Sequence, residues 1–370
     1  MRLGRRAGLT LLAAAVAAGP LSPVSAATSW WTRAPGPQRA LQAIASNSDA
    51  TTLVITAGRA YWLDTRSGKL LGGGSPRGAQ FVAAAGSQGL ALNSDGALYR
   101  LRLPGLAHLL QRLPGEPRGL AISSGSQPVA LAATTAGLYL GGLRSGLRRV
   151  AGSVPGNPVT AVAPPVSPGQ PFALATRLGI ELVSVSGRIR SSRGAPHLGD
   201  RPVLAEMGDG ILLAGDQAGM IYAHYRTGWN PVFQLLPYGG VAGVPRLTAI
   251  LGVGPDAAYV ATSGFGTLLT PDAGFTWYRA APATPDGRVV ALAALGPLYA
   301  THPSGLVAAA APSGLFLHRL QTLPGPPVYA GASQTAEVVG TAAVTVGASV
   351  AVILAMWWWE RRRRGRQLSV

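Results

Sequence analysis

Two series of glycines, which we call glycine ladders, recur at matching intervals along the chain and constrain its fold more than any other feature. Seven glycines each follow a short apolar run at intervals of 38 to 47 residues: Gly58, Gly96, Gly137, Gly179, Gly219, Gly266 and Gly305. A second glycine follows eight to ten residues after each of them: Gly68, Gly105, Gly146, Gly187, Gly228, Gly274 and Gly314. Two ladders in step predict seven copies of one structural unit.

Each unit has room for four short strands, with a glycine at the turns on either side of the third. Glycine permits the positive φ that tight hairpins require. The fourth unit shows the pattern as VTAVA, FALAT, IELVSV and RIRSS. Four strands in about 40 residues, repeated seven times, predict an all-β, seven-bladed β-propeller over 39–328. A β-helix or a sandwich is the alternative, but neither is typical of seven copies of a unit this long.

The N-terminus has the features of an export signal. Arg2, Arg5 and Arg6 precede an apolar run over 9–18 that is too short to span a bilayer, and small residues end at Ala26. This pattern predicts a signal peptide over 1–26, with an uncleaved anchor as the alternative. A leader over 27–38 follows, in which Trp30 and Trp31 either pack against the last blade to close the ring or lie in a flexible segment.

The C-terminus predicts a membrane anchor. After a linker over 329–337, the segment 338–359 starts at Val338 and has 22 residues without a charge. Such a helix is about 33 Å long, which matches a bilayer core. Tryptophans suited to the membrane interface end the segment, and arginines typical of a cytoplasmic flank follow. They are Trp357, Trp358, Trp359, Arg361, Arg362, Arg363 and Arg364.

These features predict a single-pass plasma-membrane protein with its propeller outside the cytoplasm and a basic cytoplasmic tail over 360–370. A buried core helix is the alternative interpretation of the span. Small residues recur every four positions at Ala343, Gly347, Ala351 and Ala355, which favours a weak dimer of transmembrane helices as a further possibility.

Charge indicates the kind of partner. With the predicted signal and tail set aside, 23 basic and 13 acidic residues remain, a net charge of about +10. This surplus favours an envelope or membrane protein with an acidic face, or an acidic glycan or lipid surface. An exported chain excludes nucleic acid as the expected partner. The absence of cysteine excludes disulfides and thiolate metal sites.

The segment TPDAGFTW at 270–277 fits the pattern Ser/Thr-x-Asp-x-Gly-x-Thr-Trp. The matching residues are Thr270, Asp272, Gly274, Thr276 and Trp277. This resembles the Asp-box of BNR, or sialidase-like, propellers of the WD40/YVTN-like superfamily, where it forms the turn between the third and fourth strands of a blade. We expect a structural role, in which Asp272 accepts backbone N–H bonds and Trp277 packs between blades.

Among BNR propellers, the photosystem II assembly-factor family is exported, basic and non-enzymatic. The resemblance therefore implies an interaction or assembly scaffold without a cofactor. The predicted partner surface consists of arginines around the outer turns of units three and four: Arg144, Arg148, Arg149, Arg188, Arg190 and Arg193. An ordinary solvated rim is the alternative interpretation of these arginines.

A sialidase-like glycan-binding protein or glycoside hydrolase is the alternative function. Sialidases, as that family implies, use an arginine triad and a set of carboxylates. Glutamates are few here, and we expect Glu181 and Glu206 to face outward from their strands. The five histidines lack metal-site spacing, and no nucleophile elbow or phosphate-binding loop is present, so no catalytic residue and no metal is predicted.

Overall fold

The computed structural model describes residues 31–35, 40–46, 51–72, 74–103, 107–153, 158–208, 210–216, 218–235, 246–253, 255–263, 266–281, 288–295 and 306–319. The predicted signal peptide, the predicted transmembrane helix 338–359 and the tail 360–370 lie outside these residues. Within them, no helix is long and apolar enough to cross a bilayer.

Seven four-stranded antiparallel sheets form the described structure, which confirms the predicted seven-bladed propeller. The strands of blades 1 to 3, after β1 (Thr32–Arg33), are β2 (Leu41–Ser46), β3 (Thr51–Thr56), β4 (Arg59–Asp64), β5 (Leu70–Leu71), β6 (Ala79–Ala85), β7 (Gln88–Asn93), β8 (Ala97–Arg102), β9 (Ala107–Arg112), β10 (Pro117–Ile122), β11 (Val129–Thr134), β12 (Gly137–Gly142) and β13 (Arg148–Arg149). Those of blades 4 to 7 are β14 (Val159–Ala163), β15 (Phe172–Thr176), β16 (Gly179–Val183), β17 (Ile189–Ser191), β18 (Val203–Glu206), β19 (Leu212–Gly215), β20 (Met220–Tyr225), β21 (Gly228–Gln234), β22 (Leu247–Gly252), β23 (Ala258–Thr262), β24 (Gly266–Thr270), β25 (Tyr278–Ala281), β26 (Ala291–Leu295), β27 (Leu306–Ala311) and β28 (Gly314–Arg319).

The second strand of each blade is pressed between neighbouring blades, so both of its faces are apolar. In β3, Leu53, Val54 and Ile55 are fully buried, and in β11 the run from Ala130 to Ala133 is buried as well. Burying one branched side chain contributes roughly 1.5–3 kcal/mol. The alanines let adjacent sheets approach closely, so the core of the molecule lies in the seams between blades.

The N-terminal segment closes the ring. Strand β1 pairs with β28 and so becomes the fourth strand of blade 7, with Thr32 opposite Leu317. Trp31 is only 5% exposed and belongs to the same buried cluster as Tyr259 and Phe316. The outermost strand of the last blade therefore comes from the segment that the sequence assigned to a leader, and Trp31 takes the packed position rather than the flexible one.

The ladder prediction is wrong in the seventh unit. The repeat predicts a second strand ending at Gly305 and the turn between the third and fourth strands at Gly314. In the structure β27 is the second strand, and Gly314 begins β28, the third strand. The unit is one strand shorter than the others because β1 replaces its fourth strand.

The innermost strands of blades 1, 2, 3, 4 and 6 share a β-bulge after their first residue. The bulged residue is polar in all five: Gln42, Gln80, Arg118, Thr160 and Thr248. A bulge adds one residue to one strand of a pair and redirects its side chain. These strands surround the central channel, so the bulges place polar side chains at one end of the channel. We name this end of the disk the mouth face.

Antiparallel pairing fixes which loops share each end of the disk. The turns between second and third strands and the connections from blade to blade lie on the mouth face. The turns between first and second strands, and between third and fourth strands, lie on the opposite face, which we name the far face.

Candidate functional site

The turn at 270–277 is held by hydrogen bonds within the motif. The amide of Thr276 donates to Asp272 Oδ1 at 2.7 Å, and the hydroxyl of Thr270 donates to the same oxygen at 3.0 Å. The amide of Gly274 donates to Thr270 Oγ1 at 2.7 Å. Positive φ values at Ala273 and Gly274 allow the tight bend between β24 and β25. The carboxylate of Asp272 therefore serves the turn itself.

The same turn joins blade 6 to blade 5. The Trp277 indole is 2% exposed and lies 5.1 Å from the Phe233 ring of blade 5, measured between ring centroids. The Tyr225 hydroxyl of blade 5 donates to the carbonyl of Ala273 at 2.7 Å. A Cβ on Gly274 would lie 3.0 Å from Val232 Cγ2, so the turn also needs a small residue there. These contacts fit the structural role expected from the sequence.

The six arginines predicted to bind a partner lie on the outer edges of blades 3 and 4. Arg144 lies in the far-face turn before β13, which consists of Arg148 and Arg149. Arg188 lies before β17, Arg190 lies within it and Arg193 lies after it. All six side chains are exposed. We call this set the basic edge.

The two halves of the basic edge adjoin each other. A Cβ on Gly187, in the outer turn of blade 4, would lie 3.8 Å from both Leu140 and Val150 of blade 3. Among the described residues, the two ion pairs join Arg112 to Asp95 and Arg118 to Glu116, and neither involves the basic edge. The guanidinium groups of the edge therefore form no ion pair with a described acidic side chain.

Glu206 lies where the sequence did not predict it. We expected an outward position, but its side chain is 2% exposed, and its Oε2 has no hydrogen-bond partner. Burial without a counter-charge disfavours the ionised form and raises the pKa of Glu206 to about 8. The outward prediction fails because β18 is buried on both of its faces from Leu204 to Glu206.

The surroundings of Glu206 explain this pKa. Directly opposed residues across blade 5 form the row Glu206, Leu212, His224 and Trp229, and such residues share one face of a sheet. Leu212 and Trp229 pack against Ala163 and Ala173 of blade 4. Burial lowers the pKa of His224, whose ring packs at a tilt against that of Trp229, so this imidazole favours its neutral form.

The described channel wall has few side chains that could act in catalysis. Among the described innermost strands, Glu206 is the one carboxylate, and it is buried. No group of three or more histidine, aspartate and glutamate side chains in the described part of the chain could hold a metal ion. A glycosidase needs a pair of carboxyl groups at the scissile bond. The innermost strands described here do not supply that pair.

Sequence reasoning missed the five bulged residues of the mouth face. Their signal is one polar residue in second position within an otherwise apolar run, as in LQAIA, AQFVA, PRGLA, VTAVA and LTAIL. Repetition of that position in five blades was sufficient to detect them.

Comparisons with known proteins identify the fold. No family model and no curated protein matches the chain. Three solved structures are similar to it: a streptogramin B lyase (TM-score 0.58, 13% identity, 79% of this chain and 97% of the other), YCF48 bound to D1 peptide (0.56, 12%, 79% and 97%) and the computationally designed protein Ika8 (0.52, 13%, 78% and 98%). At these identities the similarity shows the propeller fold, and it includes both an enzyme and a peptide-bound protein.

Proposed function

We propose that this propeller is a non-enzymatic scaffold that binds an acidic face of an envelope or membrane protein. The observation that carries the proposal is the basic edge, where six exposed arginines on adjoining blades form no ion pair with a described acidic side chain. Guanidinium groups bind carboxylates through paired, charge-assisted hydrogen bonds. Together with the positive charge of the molecule, they would also speed the encounter with an acidic partner.

The shape of the edge supports this role. Strands β13 and β17 have two and three residues, so the outer rim is short and exposed, and its arginines are accessible to a partner. The peptide bound to YCF48 provides a precedent for this fold as a binding platform.

The non-enzymatic part of the proposal is supported by the chemistry of the channel wall. Glu206 is isolated and buried among apolar residues of blades 4 and 5, so it is poorly placed to transfer a proton to a ligand in the channel. The streptogramin B lyase shares only the fold, and a fold hosts many activities.

The membrane setting is supported by the two ends of the sequence. The apolar span 338–359 and the arginines after it would hold the propeller at the outer surface of the plasma membrane. This arrangement would keep the basic edge close to other membrane proteins. Anionic headgroups at the same surface would compete with the partner for the basic edge. Because salt screens exposed charges, partner binding should also weaken as the salt concentration rises.

Capture of partners from membranes tests the proposal. The full chain and a variant with Arg144, Arg148, Arg149, Arg188 and Arg190 changed to glutamate are purified in detergent and incubated with solubilised membranes. We expect the variant to lose the captured protein. A control with the same charge change at five exposed arginines elsewhere, Arg59, Arg77, Arg102, Arg226 and Arg246, should retain it. Equal recovery by all three proteins, or equal loss in both variants, would contradict a role for the basic edge.

A further inference from the structure

One outer strand differs from the other outer strands in length and composition. The outermost strand of each described blade is an edge of its sheet, and five of the seven have only two to four residues. Strand β21 has seven residues, but it contains Pro231, which lacks an N–H group and so protects an edge from pairing. Strand β9 has six residues and no proline. It is therefore the longest proline-free edge among the described blades.

The edge of β9 is accessible to a further strand. His108 and Leu109 are exposed in the middle of this strand, and Leu109 is 52% exposed although it is apolar. Alternate N–H and C=O groups of an edge strand point away from its sheet, so they can pair with an additional strand. An exposed apolar residue on a long edge favours such pairing.

The side of β9 toward blade 1 is apolar. Leu109 lies directly opposite Tyr99 in β8, and directly opposed residues share one face of a sheet. Tyr99 packs against the cluster that contains Leu53 and Trp62 of blade 1. A strand added to β9 would therefore place every second side chain on the same side as Leu109.

The side of β9 toward blade 3 is polar, and hydrogen bonds fix it to the outer turn of that blade. The side-chain amide of Gln111 exchanges two hydrogen bonds with the backbone of Leu147, at 2.9 and 3.0 Å. Arg100, which lies opposite His108, donates from Nη1 to the carbonyl of Leu143 at 3.2 Å. These bonds hold β9 beside the turn at which the basic edge begins.

Two arginines of the basic edge lie near this side of β9. Arg144 directly follows Leu143 and is exposed. Arg149 lies opposite Tyr139, which belongs to the buried cluster in the seam with blade 2, so Arg149 lies on the side toward blade 2. Neither arginine forms an ion pair with a described acidic side chain. The edge of β9 and the basic edge are therefore parts of one continuous surface.

We propose that β9 accepts an additional strand from the partner, an extended segment in which acidic residues alternate with apolar ones. The backbone of this segment would pair with β9. Its apolar side chains would lie beside Leu109, and its carboxylates would reach Arg144 and Arg149 on the opposite side. The inference rests on the proposed function, because it describes how the acidic face of the partner would meet the basic edge.

Other occupants fit this surface less well. A helix pairs its N–H and C=O groups internally, so it would leave the edge of β9 without partners. A second copy of β9 would supply the sequence AHLLQR, which has no acidic side chain for the arginines of the basic edge. An acidic segment without apolar residues would leave Leu109 exposed.

Peptide binding to the full chain in detergent tests the inference, with fluorescence anisotropy as the measurement. The probes are a short peptide of alternating glutamate and valine, a peptide of the same composition in which the glutamates precede the valines, and a peptide with the sequence of β9. We expect the alternating peptide to bind at least about tenfold more tightly than the other two. Equal binding of the second peptide would show that charge alone attracts it, and tighter binding of the third would indicate a second copy. Either result, or no binding of the alternating peptide, would overturn the proposal.

Methylation of the peptide backbone tests whether strand pairing carries the binding. Alternate residues of a paired strand direct their N–H groups to the same neighbour, so the glutamate amides and the valine amides of the alternating peptide would face opposite ways. N-methylation of the set that faces β9 should abolish binding, whereas N-methylation of the other set should preserve it. Equal affinities of the two methylated peptides would overturn the proposal.

A substitution locates the added strand. Leu109→Glu should weaken binding of the alternating peptide about tenfold, because it replaces an apolar contact with a charge that repels the carboxylates. Leu178→Glu makes the same change at another exposed leucine, in a mouth-face turn of blade 4, and should leave the affinity unchanged. Because both leucines are exposed, each variant should fold as the unaltered chain does. Unchanged affinity in Leu109→Glu, or equal weakening in both variants, would overturn the assignment to β9.

Capture of partners from membranes separates this inference from the proposed function. If the variant with five arginines of the basic edge changed loses the captured protein and Leu109→Glu retains it, the scaffold proposal stands and the added strand is wrong. If that arginine variant retains the captured protein, the proposed function itself is wrong.

Discussion

The amide of Thr276 donates a 2.7 Å hydrogen bond to Asp272 Oδ1, and this bond spans the turn that joins β24 to β25. The same oxygen accepts a bond from the Thr270 hydroxyl, so one carboxylate atom fixes both ends of the turn. Beneath it, Trp277 and Phe233 pack across the seam between blades 6 and 5. The turn therefore acts as a clasp between two blades.

Removal of this carboxylate should loosen the clasp. We expect Asp272→Ala to lower the free energy of unfolding by about 1–3 kcal/mol, because the Thr276 amide loses a charged acceptor. Asp272→Asn keeps an oxygen acceptor and should cost less. Urea denaturation of the full chain in detergent measures both variants. Equal stability of Asp272→Ala and the unaltered chain would refute the clasp.

Glu206 should make stability depend on pH. The pKa of Glu206 is raised from its ordinary 4.5 to about 8, so the folded chain binds more protons than the unfolded chain between these values. Stability must therefore fall as pH rises from about 4.5 to about 8, by up to roughly 5 kcal/mol. The effect levels off above pH 8, where both states are ionised.

The variant Glu206→Gln should abolish most of that slope and be more stable than the unaltered chain at pH 8. Urea denaturation at pH 5 and pH 8 provides the comparison. Glu116→Gln is the matched control, because Glu116 is exposed on the mouth face. If Glu206→Gln keeps the slope of the unaltered chain, the carboxyl group is not protonated in the folded state.

Blades 5 and 6 approach each other closely at Gly252, so we expect this glycine to be sensitive to substitution. A Cβ on Gly252 would clash with the carbonyl oxygen of Glu206, which is backbone and cannot move aside. We expect Gly252→Ala to destabilise the chain by at least about 2 kcal/mol, as overpacking does. Gly142→Ala is the control, because a Cβ there meets the movable Ser145 hydroxyl at 3.2 Å. Similar unfolding midpoints for the two variants would show that the seam can relax.

The fold was predictable from sequence because its signal is periodic. Glycines at the turns and apolar second strands repeat in each blade, so an irregular residue in one unit does not hide the pattern. The seventh unit could not be predicted in the same way. Its fourth strand, Thr32–Arg33, is separated from β28 by nearly the whole chain. A strand of two residues is also too short to show a periodic sequence pattern.

The candidate sites were predictable to different degrees. The basic edge followed from the sequence because outer turns are exposed in any propeller and Arg148 and Arg149 adjoin one. The position of Glu206 did not follow, since strand alternation assumes that one face of a strand meets solvent, whereas β18 is buried on both faces from Leu204 to Glu206. Gln111 and Leu147 belong to different units, and only tertiary structure brings β9 to the outer turn of blade 3.

Ring closure by the N-terminal segment should contribute strongly to stability. Trp31→Ala removes a side chain that is 5% exposed and belongs to the core between blades 6 and 7, so we expect a loss of about 3–5 kcal/mol. Phe275→Ala removes an aromatic side chain that is 75% exposed and should cost less than about 1 kcal/mol. Thermal unfolding of the full chain measures both, and equal effects would show that Trp31 does not hold the ring closed.

The proposed orientation in the membrane predicts a labelling pattern. The chain has no cysteine, so single cysteines can be introduced without background. In intact cells, a membrane-impermeant maleimide should label Ser186→Cys in the exposed outer turn of blade 4, and it should label Ser369→Cys in the basic tail only after lysis. Labelling of both sites in intact cells would place the tail outside. Protection of both sites until lysis would instead place the propeller in the cytoplasm, and each result would contradict the anchored, extracytoplasmic arrangement.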